Sequence, residues 1–351
     1  MWLAMPRWGD WSLWWRVSAH EGRLKETALL EATVGKAGVS CRDADTTVGA
    51  SSEDFVHSIS ATTPTAKLRT QLVCLPGYGV GAAIFFRNIT SLATEVPIHA
   101  VDWRGGGLSG RPDFPAKTGE DVVSWFVEGL EEWRRRQQLD RFVLLGHSMG
   151  GIIAAHYAKA HPDRVEHLIL CGPAAMSPKP DLPSDLSKNY PRLTGMVENW
   201  WEGGLTPGKI IRRLGPLGPS LMRSYASGRF REGSLLTETE QELFGSYAYE
   251  VLAQPPCAEQ CLNLLLHPGA WAKSPIGPLV ESLSRPAVTW LYGESDWMRP
   301  AYGHAAAQRM LAQGKDADCI IVPHAGHYCF VEQPDLCNAA ILKICQKVSE
   351  R

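Results

Sequence analysis

The sequence has no run of about 18 uninterrupted apolar residues, the minimum for a membrane-spanning helix, so it predicts no bilayer span. It has no excess of either charge: 35 Lys and Arg stand against 37 Asp and Glu, a formal net charge of -2. Without a basic footprint, nucleic acid is excluded as a partner. There is no internal repeat and no low-complexity tract. No metal spacing is present either, because Cys257 and Cys261 lack a second Cys or His pair. The nine cysteines are odd in number and scattered through apolar runs, which fits reduced thiols in a cytosol-like compartment better than a disulfide framework.

What is present is a Gly-x-Ser-x-Gly turn in a telling context. Residues 142–151 read Phe-Val-Leu-Leu-Gly-His-Ser-Met-Gly-Gly, an apolar strand that meets the turn and then a helical pattern. In such a nucleophile elbow the serine sits on a sharp strand-to-helix turn, and small neighbours prevent collision with adjacent elements. Gly146 and Gly150 supply that room, Ser148 is the expected nucleophile, and the following helix offers its first amides to an oxyanion.

Short apolar runs at 71–75, 97–101, 142–146 and 165–171 alternate with helical patterns, notably 120–138 with Val122, Trp125, Phe126 and Leu130 on one face. This rhythm predicts an α/β fold with a mostly parallel, doubly wound sheet. It breaks after Gly172 and resumes with strands at 287–292 and 318–322 and a closing helix from about Pro334. The expected organisation is a Trp-rich segment and linker (1–50), a first core part (51–172), an inserted helical cap (173–275) and a second core part (276–351). Residues 35–52 read as polar and low in order.

On this fold the order is serine, acid, histidine. Asp296 follows the strand ending at Tyr292, and His327 follows the last strand in Pro-His-Ala-Gly-His. Glu294 is the competing acid and His324 the competing base; Asp102, which precedes Ser148, is read as loop-structuring. The oxyanion hole is expected from the amide of Met149 and that of Tyr78, with Gly79 as second choice, in Leu75-Pro76-Gly77-Tyr78-Gly79.

Five of the thirteen tryptophans (Trp2, Trp8, Trp11, Trp14 and Trp15) fall in the first fifteen residues. Arg7, Asp10 and Arg16 interrupt that run, so it fits a monotopic surface anchor better than a signal-peptide core. Between Gly203 and Arg231 lie Lys209, Arg212, Arg213, Arg223, Arg229 and Arg231 with no acid among them, a stretch suited to a phospholipid headgroup or, alternatively, a solvated cationic face.

With these residues placed, the chain resembles the lipid-acting α/β-hydrolases of the α/β-hydrolase-domain-containing protein 4 and 5 family, with their lysophosphatidic acid acyltransferase relatives. The resemblance rests on the Trp-rich start with Leu24-Lys25-Glu26, on Ser109-Gly110-Arg111-Pro112-Asp113-Phe114, and on Leu144-Leu145-Gly146-His147-Ser148. It also rests on Arg213-Leu214-Gly215-Pro216, Gly269-Ala270-Trp271-Ala272-Lys273, Gly326-His327-Tyr328 and Glu332-Gln333-Pro334. It implies a serine acyl-ester hydrolase acting on glycerophospholipids or lysophospholipids, with acyl transfer to lysophosphatidic acid as a second outcome. The implied location is cytoplasmic and peripheral, at a membrane or lipid-droplet surface, with mitochondria as another address. No metal or redox cofactor is implied, and acyl-CoA enters only as a co-substrate. Gly79, His147, Arg212 and Arg213 are the expected substrate contacts. Two positions depart from the family: Pro76 stands where it has His, and Glu332 where it has Asp in a His-x-x-x-x-Asp motif. Glu332 is read as an acid stabilising the N-terminus of the last helix. The rival functions are a non-catalytic lipase regulator on a lipid surface, and a soluble esterase or aminopeptidase.

Overall fold

The computed structural model describes residues 16–34, 39–180, 189–230 and 236–351. The five early tryptophans, and with them the expected anchor, lie outside the described residues, as does Arg231.

Among the described residues six strands precede the insertion: β1 (Ser40–Thr47), β2 (Phe55–Thr62), β3 (Leu72–Leu75), β4 (Ile98–Val101), β5 (Phe142–His147) and β6 (Val165–Cys171). After a small hairpin of β7 (Leu266–His267) and β8 (Trp271–Ala272) come β9 (Ala287–Gly293) and β10 (Ala317–Val322). Eight of them form one sheet in the order β1-β2-β4-β3-β5-β6-β9-β10. It is parallel from β4 to β10, and β2 pairs antiparallel with both β1 and β4.

The apolar strands owe their continuity to burial on both faces. Along β5, Phe142 and Leu144 join a core with Leu130 and Trp133 of the Gly119–Arg136 helix. Val143 and Leu145 point the other way, into a core with Phe86 and Ile89 of the Phe86–Ala93 helix and Ile341 of the Pro334–Ser349 helix. Side chains alternate across a strand, so a strand with helices on both sides must be apolar at every position. The chain leaves β3 for β4 on one side and returns to β5 on the other. The strand order therefore reverses between β3 and β5, and folds of this kind bind ligands beyond the carboxyl ends at that point.

Between β6 and β9 the chain forms the helices Pro191–Glu202, Pro207–Arg213, Leu217–Arg229, Glu238–Ala253 and Cys261–Leu265. The two crossings of this cap meet where Pro178 bridges Ala272, with the Ala272 amide on the Ser177 carbonyl at 3.1 Å.

Two expectations for the first fifty residues need correction. Residues 35–52 are not uniformly low in order, because β1 lies within them and pairs with β2 over eight positions. An edge strand draws its stability from main-chain bonds and keeps polar side chains, so no apolar pattern announces it. Nor is 1–50 only a surface segment and linker: the Ala19–Val34 helix packs on the Glu238–Ala253 cap helix and on the Phe86–Ala93 helix.

That helix is fixed by a charged cluster built on a buried histidine and a buried glutamate. His57 on β2, fully buried, is held at Nε2 by Glu26 of the helix and at Nδ1 by Asp45 of β1, each at 2.8 Å. Arg23 reaches the same Asp45 at 2.6 Å. Burial opposes a charge on His57, but the hydrogen bonds to Asp45 and Glu26 outweigh it and raise its pKa to about 10.

Replacing His57 by Ala leaves Glu26 buried without its partner and should lower the unfolding free energy by about 3–5 kcal/mol in urea titrations at neutral pH. Because the folded pKa is the raised one, the contribution of His57 is complete below its ordinary 6.5 and is lost as pH climbs toward about 10. Wild-type stability should fall across that window, and the fall should be missing in the variant.

Candidate active site

β5 delivers Ser148 into a backbone conformation few non-glycine residues adopt, φ 54° and ψ -116°, directly ahead of the Met149–Ala160 helix. The turn is bonded on every side: the Ser148 amide donates to the Cys171 carbonyl, and the Ser148 carbonyl accepts from Gly151 and Ala174, all at 3.0 Å. The flanking glycines are sterically required. A Cβ on Gly146 would strike the Gly150 carbonyl and Ala154, and one on Gly150 would lie 2.5 Å from the Pro76 carbonyl oxygen.

The second of those contacts brings the loop after β3 against the elbow. A Cβ on Gly77 would lie 3.1 Å from the Cβ of Ser148 and 2.9 Å from His147 Nδ1. Pro76 fits because only its carbonyl is used, as acceptor from Trp103 Nε1 at 2.8 Å. Tyr78 and Gly79 follow and touch the cap: the Tyr78 hydroxyl accepts from the Gly208 amide at 3.4 Å, and Gly79, at φ +79°, packs on Leu252. Met149 opens its helix, where an amide has no intrahelical partner.

Asp296, after β9, and His327, after β10, are both buried, with Asp296 Oδ1 2.9 Å from His327 Nδ1. The same oxygen accepts from the Met298 amide at 2.9 Å. Gly172, directly after β6, holds φ +47°; a Cβ there would sit 2.5 Å from Asp296 Oδ2 and 3.1 Å from His327 Nδ1. The rivals lie elsewhere. Glu294 and His324 are exposed and meet each other, the His324 amide donating to Glu294 Oε2 at 3.1 Å. Asp102 is buried and accepts from the Ala82 and Leu108 amides, each at 2.5 Å, and burial raises its pKa to about 7.

Four further positions require correction. His147, expected as a substrate contact, is fully buried under the His327 loop. Its Nε2 lies 3.0 Å from the His327 carbonyl, so that nitrogen carries the proton, and the two rings lie 4.6 Å apart between centroids, tilted by 44°. Burial first, and His327 second, hold its pKa well below the ordinary value, which leaves it neutral. Glu332 does not serve the last helix; its carboxylate accepts from the Gly326 amide at 2.8 Å and the Tyr328 amide at 3.1 Å, bracketing His327. Arg212 and Arg213 form no clamp, because successive helical residues do not share a face. Arg212 turns inward to Glu259 at 2.5 and 2.9 Å and to the carbonyls of Leu252 and Gln254, whereas Arg213 is exposed.

The site therefore assembles beyond the carboxyl ends of β3, β5, β9 and β10: a serine on a strained turn, an imidazole oriented by a carboxylate, and a glycine loop beside the serine. Residues 72–340 match the model of the alpha/beta hydrolase family. The chain belongs to that family. It is 40% identical over 283 residues to a probable 1-acylglycerol-3-phosphate O-acyltransferase of Oryza sativa subsp. japonica, covering 79% of this chain and 67% of that protein. A 1-acylglycerol-3-phosphate O-acyltransferase of Arabidopsis thaliana matches equally, over 66% of its length, so about a third of each plant protein lies outside the match. A (lyso)-N-acylphosphatidylethanolamine lipase of Mus musculus is 30% identical over 287 residues, 81% of this chain and 82% of that one. Among solved structures, a bacterial membrane phospholipase A superposes with TM-score 0.66 at 19% identity, covering 94% and 93% of the two chains, a likeness of fold. Among the described residues no cluster of His, Cys, Asp or Glu could hold a metal ion, and no helix is long and apolar enough to cross a membrane.

Gly172 offers a test of the His327–Asp296 geometry that alters neither side chain. Gly172→Ala should push the pair off its position and lower kcat toward a short soluble ester by about 100-fold, the scale of an ångström of misplacement. Circular dichroism should show the fold retained.

Proposed function

We propose that this protein is a serine acyl-ester hydrolase acting on glycerophospholipids or lysophospholipids through an acyl-Ser148 intermediate. The observation that carries the reading is the strained Ser148 turn with the Asp296–His327 pair lodged against the neighbouring strand end. In this reading the Ser148 hydroxyl attacks the ester carbonyl as His327 takes its proton, and Asp296 keeps the imidazole in the required tautomer. The Met149 and Tyr78 amides receive the oxyanion, and His327 returns the proton to the departing alcohol. Water then frees the fatty acid. Acyl transfer to lysophosphatidic acid uses the same intermediate with a lysolipid hydroxyl in place of water, and acyl-CoA would serve as its donor. The relatives' names, a lipase and acyltransferases of phosphate-bearing lipids, favour lipid esters as substrates.

A lipid surface as the working location is favoured by the cap. The Pro191–Glu202 helix exposes Leu193, Met196, Val197 and Trp200 at 47%, 40%, 40% and 52%, spaced as one helical stripe. Trp201 beside them anchors the helix through Nε1 to the Leu266 carbonyl at 2.8 Å. An unburied apolar stripe that includes tryptophan suits the water–lipid boundary.

Ser148→Ala should abolish labelling by a fluorophosphonate probe and lower kcat by roughly 1,000-fold or more. Labelled wild type with near-normal turnover in the variant would sink the proposal, whereas an unlabelled, inactive wild type would point to a non-catalytic regulator.

Introducing Leu193→Glu together with Trp200→Glu should weaken flotation with phosphatidylcholine liposomes, while turnover of a short soluble ester persists. Unchanged flotation would remove this helix from the lipid contact.

A further inference from the structure

A cavity of about 50 Å³ lies where the loop after β4 meets the cap, lined by Tyr78, Gly79, Arg111, Arg212, Gln254 and Glu259 among others. One water needs only about 10–15 Å³ by the same measure, so there is room for a larger group. Most polar groups in the wall are engaged with one another. Arg212 and Glu259 are paired, and the Tyr78 hydroxyl meets the Gly208 amide. Arg111 is the charged exception. Its Nη2 donates to the Gly107 carbonyl at 2.6 Å, but its Nη1 is fully covered and has no acceptor among the described residues. The amide nitrogen of Gln254 is likewise covered and unpaired among them.

Two acids influence Arg111, yet neither bonds it. Asp102 is committed to the Ala82 and Leu108 amides and Glu259 to Arg212. Burial, the largest influence, keeps the guanidinium below its ordinary pKa, as expected of a charge short of a close counter-ion. A covered guanidinium donor without an acceptor is destabilising and calls for one from a ligand. The position of the cavity says which ligand. Tyr78 and Gly79 form its wall, and Gly77 of the same loop abuts Ser148. Two residues span at most about 7 Å, so an anion here and an ester at Ser148 are close enough to belong to one small molecule.

We infer that this cavity seats the phosphate of a phosphate-bearing glycerolipid whose ester lies at Ser148, with Arg111 as its charged contact. The inference rests on the acyl-ester hydrolase reading. A guanidinium suits a phosphate because its donors match adjacent oxygens. Arg111, rather than the Arg212–Arg213 pair, becomes the specificity-determining cation.

The test compares wild type with Arg111→Gln and Arg111→Lys on 1-oleoyl lysophosphatidic acid and on 1-oleoylglycerol, which carries the same ester without phosphate. Arg111→Gln should lower the ratio of kcat/KM for the phosphate-bearing over the phosphate-free substrate by about 10- to 100-fold, chiefly through KM, with Arg111→Lys intermediate. Should the glutamine variant fail to fold, the lysine variant, which loses the fork but keeps the charge, carries the same comparison. An unchanged ratio overturns the inference, whether both activities fall together or neither falls. Calorimetry with glycerol 3-phosphate and with inorganic phosphate separates the sources of the anion: tighter binding of the former supports a lipid headgroup, and equal binding overturns it. If wild type hydrolyses neither ester, the hydrolase reading fails on its own. Calorimetric binding of glycerol 3-phosphate that is lost in Arg111→Gln would still support the anion site, and its absence in wild type would overturn it.

Discussion

A serine held at positive φ is the constraint around which the carboxyl end of the sheet is organised. Such a conformation costs of order 1–3 kcal/mol and persists only when its surroundings over-determine it. Here they do so through three main-chain bonds, to Cys171, Gly151 and Ala174, two of which join β5 to the end of β6 and the chain just beyond it. The requirement propagates outward. Gly146 and Gly150 must lack side chains for the turn to close, and Gly150 then lets the carbonyls of Leu75 and Pro76 approach. The loop after β3 consequently lies over the serine because the helix after β5 starts as close as it does.

The opposite wall is built by a parallel logic. His327 sits on a loop with little structure of its own, and its place is set from both sides. Asp296 holds one ring nitrogen, Glu332 takes the amides of Gly326 and Tyr328, and His147 supports the carbonyl from below. His147 does this as a neutral imidazole with its proton on Nε2, the charge state that full burial enforces. Two histidines of one small site are thus separated by environment: one sealed and fixed in its protonation, the other bonded to a carboxylate.

Legibility in the sequence followed the range of the interactions. β3 to β6 and β9 were readable because burial on both faces leaves a continuous apolar run, the partly exposed edge strand β10 by its run Cys319-Ile320-Ile321-Val322, and the elbow because its glycines are local. β2 was not, since its Phe-Val-His-Ser-Ile-Ser-Ala-Thr mixes buried polar residues with apolar ones, and β1 was hidden by its exposed edge. His147 is adjacent to Ser148 in sequence, yet only the distant His327 carbonyl reveals its task. Arg212 resembled an available cation because its partner, Glu259, lies far along the chain. The acid at 332 was visible as a departure from the family pattern, but which amides it takes depends on a loop that bends back over it. A carboxylate there satisfies two amides at once, and that explains its place as well as any direct part in chemistry.

The cap and the core are not independent layers. Tyr78 and Gly79, next to the residue that abuts Ser148, touch Gly208 and Leu252 of the cap, and the Glu238–Ala253 cap helix rests in turn on the Ala19–Val34 helix. That last helix is tied to β1 and β2 through Glu26, His57 and Asp45. A continuous line of contacts therefore runs from the edge of the sheet, through the Ala19–Val34 helix and the cap, to the loop beside Ser148. Packed elements of this kind do not deform continuously. A shift of the cap would move Leu252 and Gly208 against Tyr78 and Gly79, in the loop whose Gly77 leaves a Cβ only 3.1 Å from the Cβ of Ser148, so the position of the cap and the shape of the pocket beside Ser148 are mechanically linked by those two cap residues.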